Sequence, residues 1–243
     1  MNSLFILSFS APIENNFIIT GQTYQHLIKV MRRNVGDTLT IAAPDGETYI
    51  AAISKINRND VIATIIEKTD MRGVSPLNIT LFQAVIKGDK FELIIQKAAE
   101  LGVNFITPVI SIRTVTDISP EKVEHKLERW QKIADSACEQ CERSIRLIVN
   151  PPVKFKNIKF NENTDYIFLH ERTGGRWPDT IKKDIALFIG PEGGWDKTET
   201  ELMVKNNISS VNMGKRILRA ETAAISAITI IQYKYGDFNQ EPK

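Results

Sequence analysis

The chain has 243 residues, 42% of them hydrophobic, and a formal net charge of +2 at pH 7. That length and composition can bury a substantial core and suit one large or two modest domains. No run approaches the roughly 20 apolar residues of a membrane helix, and "MNSLFILSFSAPI" has no basic start, so we expect a soluble, cytoplasmic protein. The small net charge excludes a protein that coats nucleic acid by bulk electrostatics, so any RNA binding must come from local patches.

The first 70 or so residues are dominated by short β-like runs with turns between them. The runs are "LFILSF", "NFIIT", "TLTIAA", "TYIAAISKI" and "DVIATIIEK", with the turns "PDGE" and "NRND", and this pattern predicts a small barrel. One helical insert, "TYQHLIKVMRR", interrupts them. Its periodicity places Tyr24, Leu27, Ile28 and Met31 on one face and points His26, Lys29, Arg32 and Arg33 elsewhere.

A different pattern follows the linker "MRGVSPLN", residues 71 to 78. Strand-like runs now alternate with helical ones, which predicts an α/β domain built on a mostly parallel sheet. The helix in "DKFELIIQKAAELG" has Asp89 at its N-cap, Glu92 three residues later and Gly102 as its stop. A longer helix is predicted from about Pro120 to Arg143, with Ser119 and Pro120 suited to its start.

Two cysteines, Cys138 and Cys141, form a C-x-x-C that could in principle be a redox pair or half of a zinc site. They lie on the apolar stripe of an amphipathic helix, "RWQKIADSACEQCER". Neither a second cysteine pair nor a nearby His-x-x-x-His accompanies them. We therefore interpret both as small buried side chains and predict no metal site.

Three loops that follow predicted strands carry the candidate chemistry. They are "LHERTGG", "GPEGGW" and "MGKRILRAET", and ligands of open α/β sheets bind at such carboxyl ends of strands. The chain has no G-x-G and no G-x-x-x-x-G-K-[ST]. It therefore lacks the dinucleotide-binding and phosphate-binding glycine loops, and the glycine loop of ordinary methyltransferases is missing as well.

The second and third loops expose backbone and charge together. Gly193 and Gly194 leave amides open to a flat ligand, although a plain tight turn would also explain them. Arg219, beside an apolar wall of Ile217 and Leu218, suits a carboxylate, a phosphate or a base plane. Asp196 is a plausible cap for the helix after the second loop, and Glu221 or Thr222 for the last helix, so capping is the alternative role of Glu221.

"GPEGG" and "GKRILRAETA", preceded by "HLIKVMRRNVGD", "KGDKFELIIQKAAELGV" and "ACEQCER", resemble the ribosomal RNA small subunit methyltransferase E family over nearly the whole chain. The resemblance implies methylation of N3 of a uridine in 16S rRNA of the small ribosomal subunit. It also implies S-adenosylmethionine as the cofactor, homodimers and no metal. The implied fold is a PUA-like β-barrel RNA-binding domain at 1–72, followed at 77–243 by a SPOUT-type parallel sheet with a C-terminal trefoil knot, an exception to the general absence of knots.

By motif position, the resemblance also assigns the cofactor contacts. They are Leu169, His170, Gly190, Pro191, Glu192, Gly193, Met213, Gly214, Ile217, Leu218, Arg219 and Ala220. His170 could contribute only its backbone. The charged third loop would then have the cofactor on one side and the target base on the other.

We expect Arg219 and Glu221 to be catalytic. A fixed arginine can stabilise charge on uracil as N3 loses its proton, and Glu221 could orient that arginine or relay the proton. For RNA we expect contacts from Lys29, Arg32, Arg33, Arg113, Arg143 and Arg146, although exposed cations often form only a solvated face. Two other functions stay open: a related methyltransferase acting on a ribose 2′-hydroxyl or a tRNA base, and a non-catalytic RNA-binding or ribosome-assembly protein.

Overall fold

A computed structural model describes residues 4–8, 10–114 and 120–239 and divides the chain into two compact units. The first unit contains described residues of 1–74 together with 138–146. The second contains those of 75–137 and 147–243. The predicted division at 72 and 77 did not anticipate that residues 138–146 leave the second unit.

Hydrogen bonds explain why residues 138–146 pack with the first unit. The amide of Leu7 donates to Glu139 Oε1 at 3.1 Å. The hydroxyls of Thr48 and Ser144 lie 2.7 Å apart, and the amide of Arg72 donates to Ser144 Oγ at 2.8 Å. These hydrogen bonds join residues 138–146 to two strands of the first unit and to the segment that follows its last strand.

The first unit is built on a mixed five-stranded sheet, in the order β1-β3-β4-β5-β2 for the residues described. All five predicted strands are confirmed. They are β1 (Leu4–Leu7), β2 (Asn16–Thr20), β3 (Thr38–Ala42), β4 (Thr48–Ile56) and β5 (Asp60–Thr69). The β1–β3 pair is parallel and the other pairs are antiparallel. Ile6 and Phe17, from the two end strands, lie in the same core, so the sheet curls around it.

The predicted helical insert is shorter and less regular than its pattern suggests. Helix α1 (Gly21–Gln25) passes directly into a π-helical turn, His26–Val30. Tyr24 and Leu27 are buried as predicted, and the Tyr24 hydroxyl donates to the carbonyl of Arg58 at 2.8 Å. Met31 is 40% exposed, because the wider π turn rotates it away from the core face.

The second unit has a seven-stranded sheet among the described residues, and every pair in it is parallel. The main order is β12-β10-β11-β6-β7-β8, with β9 also paired to β7. The predicted α/β class is thus confirmed. Its strands are β6 (Asn78–Ala84), β7 (Phe105–Ile110), β8 (Ile148–Val149), β9 (Val153–Lys154), β10 (Asp165–Leu169), β11 (Asp184–Ile189) and β12 (Ser209–Val211).

Four helices accompany these strands in the described part of the chain. They are α2 (Lys90–Glu100), α3 (Pro120–Gln140), α4 (Lys197–Lys205) and α5 (Ala220–Tyr235), and a 3-10 turn covers Phe155–Asn157. No described helix is both long enough and apolar enough to cross a membrane.

The predicted helix ends are partly right. Gly102 follows α2 with φ +82° and ends it as predicted. Asp89 occupies the N-cap position, but its side chain makes no capping hydrogen bond, and Glu92 pairs with Arg129. Helix α3 ends at Gln140, before the predicted Arg143, and Ser119 lies outside the described residues. Cys138 on this helix is buried and Cys141 half-buried.

A cluster of aromatic rings fixes the sheet at the carboxyl ends of its strands. The Trp195 indole lies 4.9 Å from the Phe168 ring and 5.1 Å from that of Phe155. Its Nε1 donates to the carbonyl of Leu169 at 2.9 Å. Trp195 therefore ties the loop after β11 to the end of β10.

Candidate active site

The three loops predicted to carry the chemistry meet at one edge of the parallel sheet. Strands β12, β10 and β11 are neighbours in the sheet, so the loops after them share an edge. Together these loops enclose a cavity of about 490 Å³, a volume typical of small-molecule sites. Every residue that the resemblance assigns to the cofactor lines this cavity.

Trp195 and two glycines determine the shape of the loop after β11. The Gly194 amide donates to the carbonyl of Pro191 at 2.9 Å, and Gly194 has φ +71°. A Cβ on Gly190 would lie 3.1 Å from the Trp195 indole. The loop therefore needs one glycine for its conformation and another for its packing.

Helix α4 begins directly after this loop, with Asp196 as its N-cap. Asp196 caps the helix as predicted, because its carboxylate accepts from the Thr198 amide at 3.0 Å. That backbone hydrogen bond is the main reason why the pKa of Asp196 is lowered from its ordinary value. Buried Glu199 completes a capping box, and its carboxylate also accepts from the Ser111 hydroxyl at 2.9 Å.

Arg113, predicted to contact RNA, is tied to the same loop. Its Nη1 donates to the carbonyl of Gly193 at 3.0 Å, and its Nη2 lies 3.4 Å from Asp196 Oδ2. The side chain is 46% exposed. Arg113 thus supports the glycine loop, a role that the sequence did not indicate.

Asn212 joins the first loop to the third and was missed by the sequence analysis. Its Nδ2 donates to the carbonyl of Glu171 at 3.1 Å, while its Oδ1 accepts from the Gly214 amide at 2.8 Å. His170 Nδ1 accepts from the amides of Arg172 and Thr173 at 3.2 and 3.1 Å. The imidazole therefore organises its own loop, in addition to any backbone contact that His170 makes with a ligand.

Arg219 and Glu221, the two predicted catalytic residues, are placed differently. Arg219 is exposed, lines the cavity and makes no side-chain bond to any residue that the structure describes. Glu221 does not line the cavity. Its Oε1 lies 3.7 Å from Lys90 Nζ, and its Oε2 is buried without a hydrogen-bond partner among the described residues.

These positions correct two expectations about Glu221. Arg219 occupies the N-cap position of α5 and no side chain caps the helix there, so Glu221 does not act as its cap. The carboxylate pairs with Lys90, so the expected orienting contact with Arg219 is absent from the described structure. The sequence could not indicate this pair because 131 positions separate its members.

Three cations beyond Arg219 also line the cavity: Lys90, Arg172 and Arg216. Arg172 and Arg216 lie in the first and third of the loop sequences quoted above, so the positive charge of those loops could have identified both as candidate site residues. Lys90 comes from α2, outside the three loops. Among the described residues, no group of His, Cys, Asp and Glu is arranged to hold a metal ion.

The other predicted RNA contacts belong to the first unit. Lys29 and Arg32 are exposed, whereas Arg33 is half-buried with its Nη1 4.0 Å from Asp37. Arg143 is only 2% exposed, which corrects the expectation that it presents its charge to RNA. Arg146 is half-buried. Arg143 and Arg146 were also expected in the catalytic domain, and the structure groups both with the barrel.

Solved structures and curated relatives resemble the chain over nearly its full length. The ribosomal RNA small subunit methyltransferase E of Neisseria gonorrhoeae, solved bound to S-adenosyl methionine, matches with a TM-score of 0.89 and 28% identity, over 98% of this chain and 100% of that one. A methyltransferase from Legionella pneumophila, solved with SAM, gives a TM-score of 0.87 and 31% identity, over 98% and 100%. The Bacillus subtilis methyltransferase E is 30% identical over 96% of this chain and 97% of its own.

Family models match both units. One described as an RNA methyltransferase PUA domain matches residues 19–66, and one described as an RNA methyltransferase domain matches 74–232. The fold and the site thus define an RNA methyltransferase with a PUA domain. With 34% identity to the Buchnera aphidicola (Schizaphis graminum) enzyme over 93% of this chain and 94% of that one, the chain belongs to the ribosomal RNA small subunit methyltransferase E family.

Proposed function

We propose that the chain methylates N3 of a specific uridine in 16S rRNA of the small ribosomal subunit, with S-adenosylmethionine as the methyl donor. One observation carries the proposal: three loops at the ends of adjacent parallel strands enclose one cavity, which is also lined by Arg219, a guanidinium with no partner among the described residues. Relatives of the chain are named ribosomal RNA small subunit methyltransferase E, and two similar structures contain S-adenosylmethionine.

The residues around the cavity fit such a donor. Ile217, an apolar side chain that is 69% exposed, and half-buried Leu218 offer a wall for an adenosine. Gly190 and Gly193 also line the cavity, and having no side chain they present only backbone to a ligand. When bound, S-adenosylmethionine supplies an electrophilic methyl group carried by a sulfonium.

Arg219 has the central chemical role in this proposal. A uridine must leave its stack before its N3 edge can reach the cavity. N3 then bears negative charge as its proton leaves, and a guanidinium at the cavity stabilises that charge without exchanging a proton. Arg219 suits this role because no described side chain neutralises it.

The barrel would hold the RNA. Lys29 and Arg32 are the exposed cations of the insert, and Arg33 and Arg146 are half-buried candidates in the same unit. Phosphates bound by such side chains release counterions, which makes binding depend on salt. Arg113 would act at the cavity through Gly193.

Two contacts support a trefoil knot in the second unit. Strand β12 pairs with β10 on one side, and Gly175, from the loop after β10, bridges to Val211 on β12. The same loop receives hydrogen bonds at the carbonyl of Pro178 from Lys234 Nζ and the Tyr235 hydroxyl, near the end of α5. These contacts join the loop after β10 to β12 and to the end of α5, the C-terminal part of the chain that a knot would thread.

We also propose that the enzyme is a homodimer and works on ribosomal subunits in the cytoplasm. Helix α5 supports a dimer because it leaves Ile225 and Ile230 half-buried and Tyr233 59% exposed. An apolar helix face of this kind is a candidate for burial against a second copy.

A transfer assay tests the proposal. The purified protein is mixed with small ribosomal subunits that lack the modification and with S-adenosylmethionine labelled in its methyl group, and the label is then mapped by base. We expect label on N3 of one uridine. Label on a ribose or on another base would contradict the N3 assignment, and absence of donor binding by calorimetry would favour a non-catalytic RNA-binding protein.

Arg219→Ala provides the matching test of the site. If the guanidinium stabilises the uracil charge, turnover should fall roughly a hundredfold or more. The fold should persist, because the Arg219 side chain makes no hydrogen bond or ion pair with a described residue. Turnover equal to that of the wild type would remove Arg219 from the mechanism.

A further inference from the structure

Lys90 is a cation at a position where helix electrostatics do not favour one. It is the first residue of α2, and its side chain is 41% exposed and lines the cavity. The start of a helix carries partial positive charge, so a lysine there raises the local potential instead of balancing it. Asp89 just before it makes no side-chain cap. Helix stability therefore does not explain the position of Lys90.

Glu221 forms an ion pair with the Lys90 ammonium. Its Oε1 lies 3.7 Å from Lys90 Nζ, and its side chain is only 14% exposed. Glu221 is the second residue of α5, so the start of that helix places its carboxylate beside the Lys90 ammonium.

Lys90 and Arg219 both line the cavity. Arg219 lies two residues before Glu221 at the start of α5, and Lys90 faces Glu221 from α2. The two cations thus approach from different elements. Lys90 comes from α2 and not from the three loops, so its side chain reaches the cavity from a different element than the assigned donor contacts.

Uracil offers two oxygens to such a pair of cations. When N3 loses its proton, the negative charge spreads over O2 and O4, which flank N3 on either side. Donors fixed near the oxygens stabilise this anion more than the neutral base, which is the condition for accelerating the reaction. Cytosine carries an amino group in place of O4, so a cation at that position would also repel it.

We propose that Lys90 is a second catalytic residue, which stabilises one carbonyl oxygen of the uracil anion while Arg219 stabilises the other, and that Glu221 is its positioning residue. This inference rests on the proposed uridine N3 activity. The N3 proton passes to solvent water, the N3 electron pair forms the bond to the methyl carbon, and the carbon–sulfur bond breaks with its electrons left on a neutral thioether.

The test measures single-turnover methylation of unmodified small subunits across pH for Lys90→Met, Lys90→Arg and Glu221→Gln. Lys90→Met should lower the rate about a hundredfold and leave the affinity for the demethylated donor, measured by calorimetry, within about twofold of the wild type. Without the cation the pKa of bound N3 rises, so the ascending limb of the rate profile should move to higher pH.

Two variants separate catalysis from structure. Lys90→Arg keeps the charge and should restore part of the rate and return the limb toward its original pH. Lys97→Met is the matched control, because Lys97 lies on the same helix, pairs with Glu100 at 2.7 Å and does not line the cavity. It should keep the wild-type rate and profile.

Glu221→Gln distinguishes positioning from proton transfer. Glutamine keeps an oxygen near Lys90, so we expect a smaller loss than in Lys90→Met and an ascending limb that persists. Loss of that limb in Glu221→Gln would make Glu221 the proton acceptor and overturn its positioning role.

Two further results would overturn the role of Lys90. Weaker donor binding in Lys90→Met, with an unchanged rate at saturation, would assign Lys90 to the donor. A wild-type rate and profile in Lys90→Met, with the wild type still labelling N3, would refute this inference alone. Label on a ribose in the wild type itself would refute the proposed function.

Discussion

At the scale of single residues, two adjacent glycines in the loop after β11 differ in what they require. Gly194 has φ +71°, and a Cβ there would lie 2.8 Å from Glu171 Oε1. Gly193 lies outside the left-handed region, and its Cβ would make an ordinary contact of 3.6 Å with Arg113. Both glycines expose backbone, but only Gly194 is required by the conformation of the chain.

This difference gives a stability prediction for the protein without ligand. Gly194→Ala should destabilise it by about 1–2 kcal/mol, because alanine is strained in the left-handed region. Gly193→Ala should be neutral or stabilise slightly, since alanine lowers the entropy of the unfolded chain. Urea unfolding of both variants measures the two values. Equal effects would show that the conformation of Gly194 is not the determining factor.

The cationic residues show how much about the position of a single side chain could be predicted from sequence. Arg219 and its neighbours lie in one motif, so the motif alone was enough to predict that they line a common cavity. The surroundings of Arg143 and Lys90 are formed by distant parts of the chain. Arg143 is buried beside Gly73, and Lys90 forms an ion pair with Glu221. Neither contact has a local signature, because burial and pairing are properties of the folded chain.

At the scale of elements, the N-termini of α2 and α4 show which capping contacts are determined by local sequence and which by tertiary contacts. Asp196 and Glu199 form the predicted kind of cap because both lie within one turn of α4. Asp89 and Glu92 have the same spacing, yet Glu92 pairs with Arg129 of α3. A capping pattern therefore predicts where a helix begins better than which side chain satisfies its amides.

The cap of α4 leads to a pH prediction for Asp196→Ala. The pKa of Asp196 is lowered in the folded protein, chiefly by the Thr198 amide, so the folded state binds fewer protons than the unfolded state. The carboxylate therefore stabilises the fold above its unfolded pKa, and this contribution is lost as the pH falls through the lower folded value. Asp196→Ala should lower the Tm at neutral pH.

Thermal melts across pH test this prediction. The difference in Tm between the wild type and Asp196→Ala should shrink as the pH falls below the ordinary aspartate range. Asp179→Ala serves as a control, because Asp179 is an exposed aspartate of the same unit. A difference that stays constant down to the most acidic point would mean that the ionised cap does not contribute.

At the scale of the whole molecule, the sequence indicated two domains, and the contacts of the fold group residues 138–146 with the first of two units. The change of pattern near residue 75 is local and was visible. The transfer of residues 138–146 to the first unit was not, because α3 continues across the boundary as one helix. Contacts such as that of Leu7 with Glu139 determine the division, and periodicity within a helix carries no information about them.

The small net charge of +2 makes the distribution of cations decisive for RNA binding. Lys29 and Arg32 are exposed on the insert, so replacing both with alanine should weaken rRNA binding and lower the slope of log K against log salt by about 0.7–0.9 per lost phosphate contact. Lys68→Ala is the control, since Glu47 already pairs with that ammonium, and its slope should match the wild type. Filter-binding titrations at several salt concentrations measure these slopes. An unchanged slope in the double variant would show that the insert does not contact phosphates.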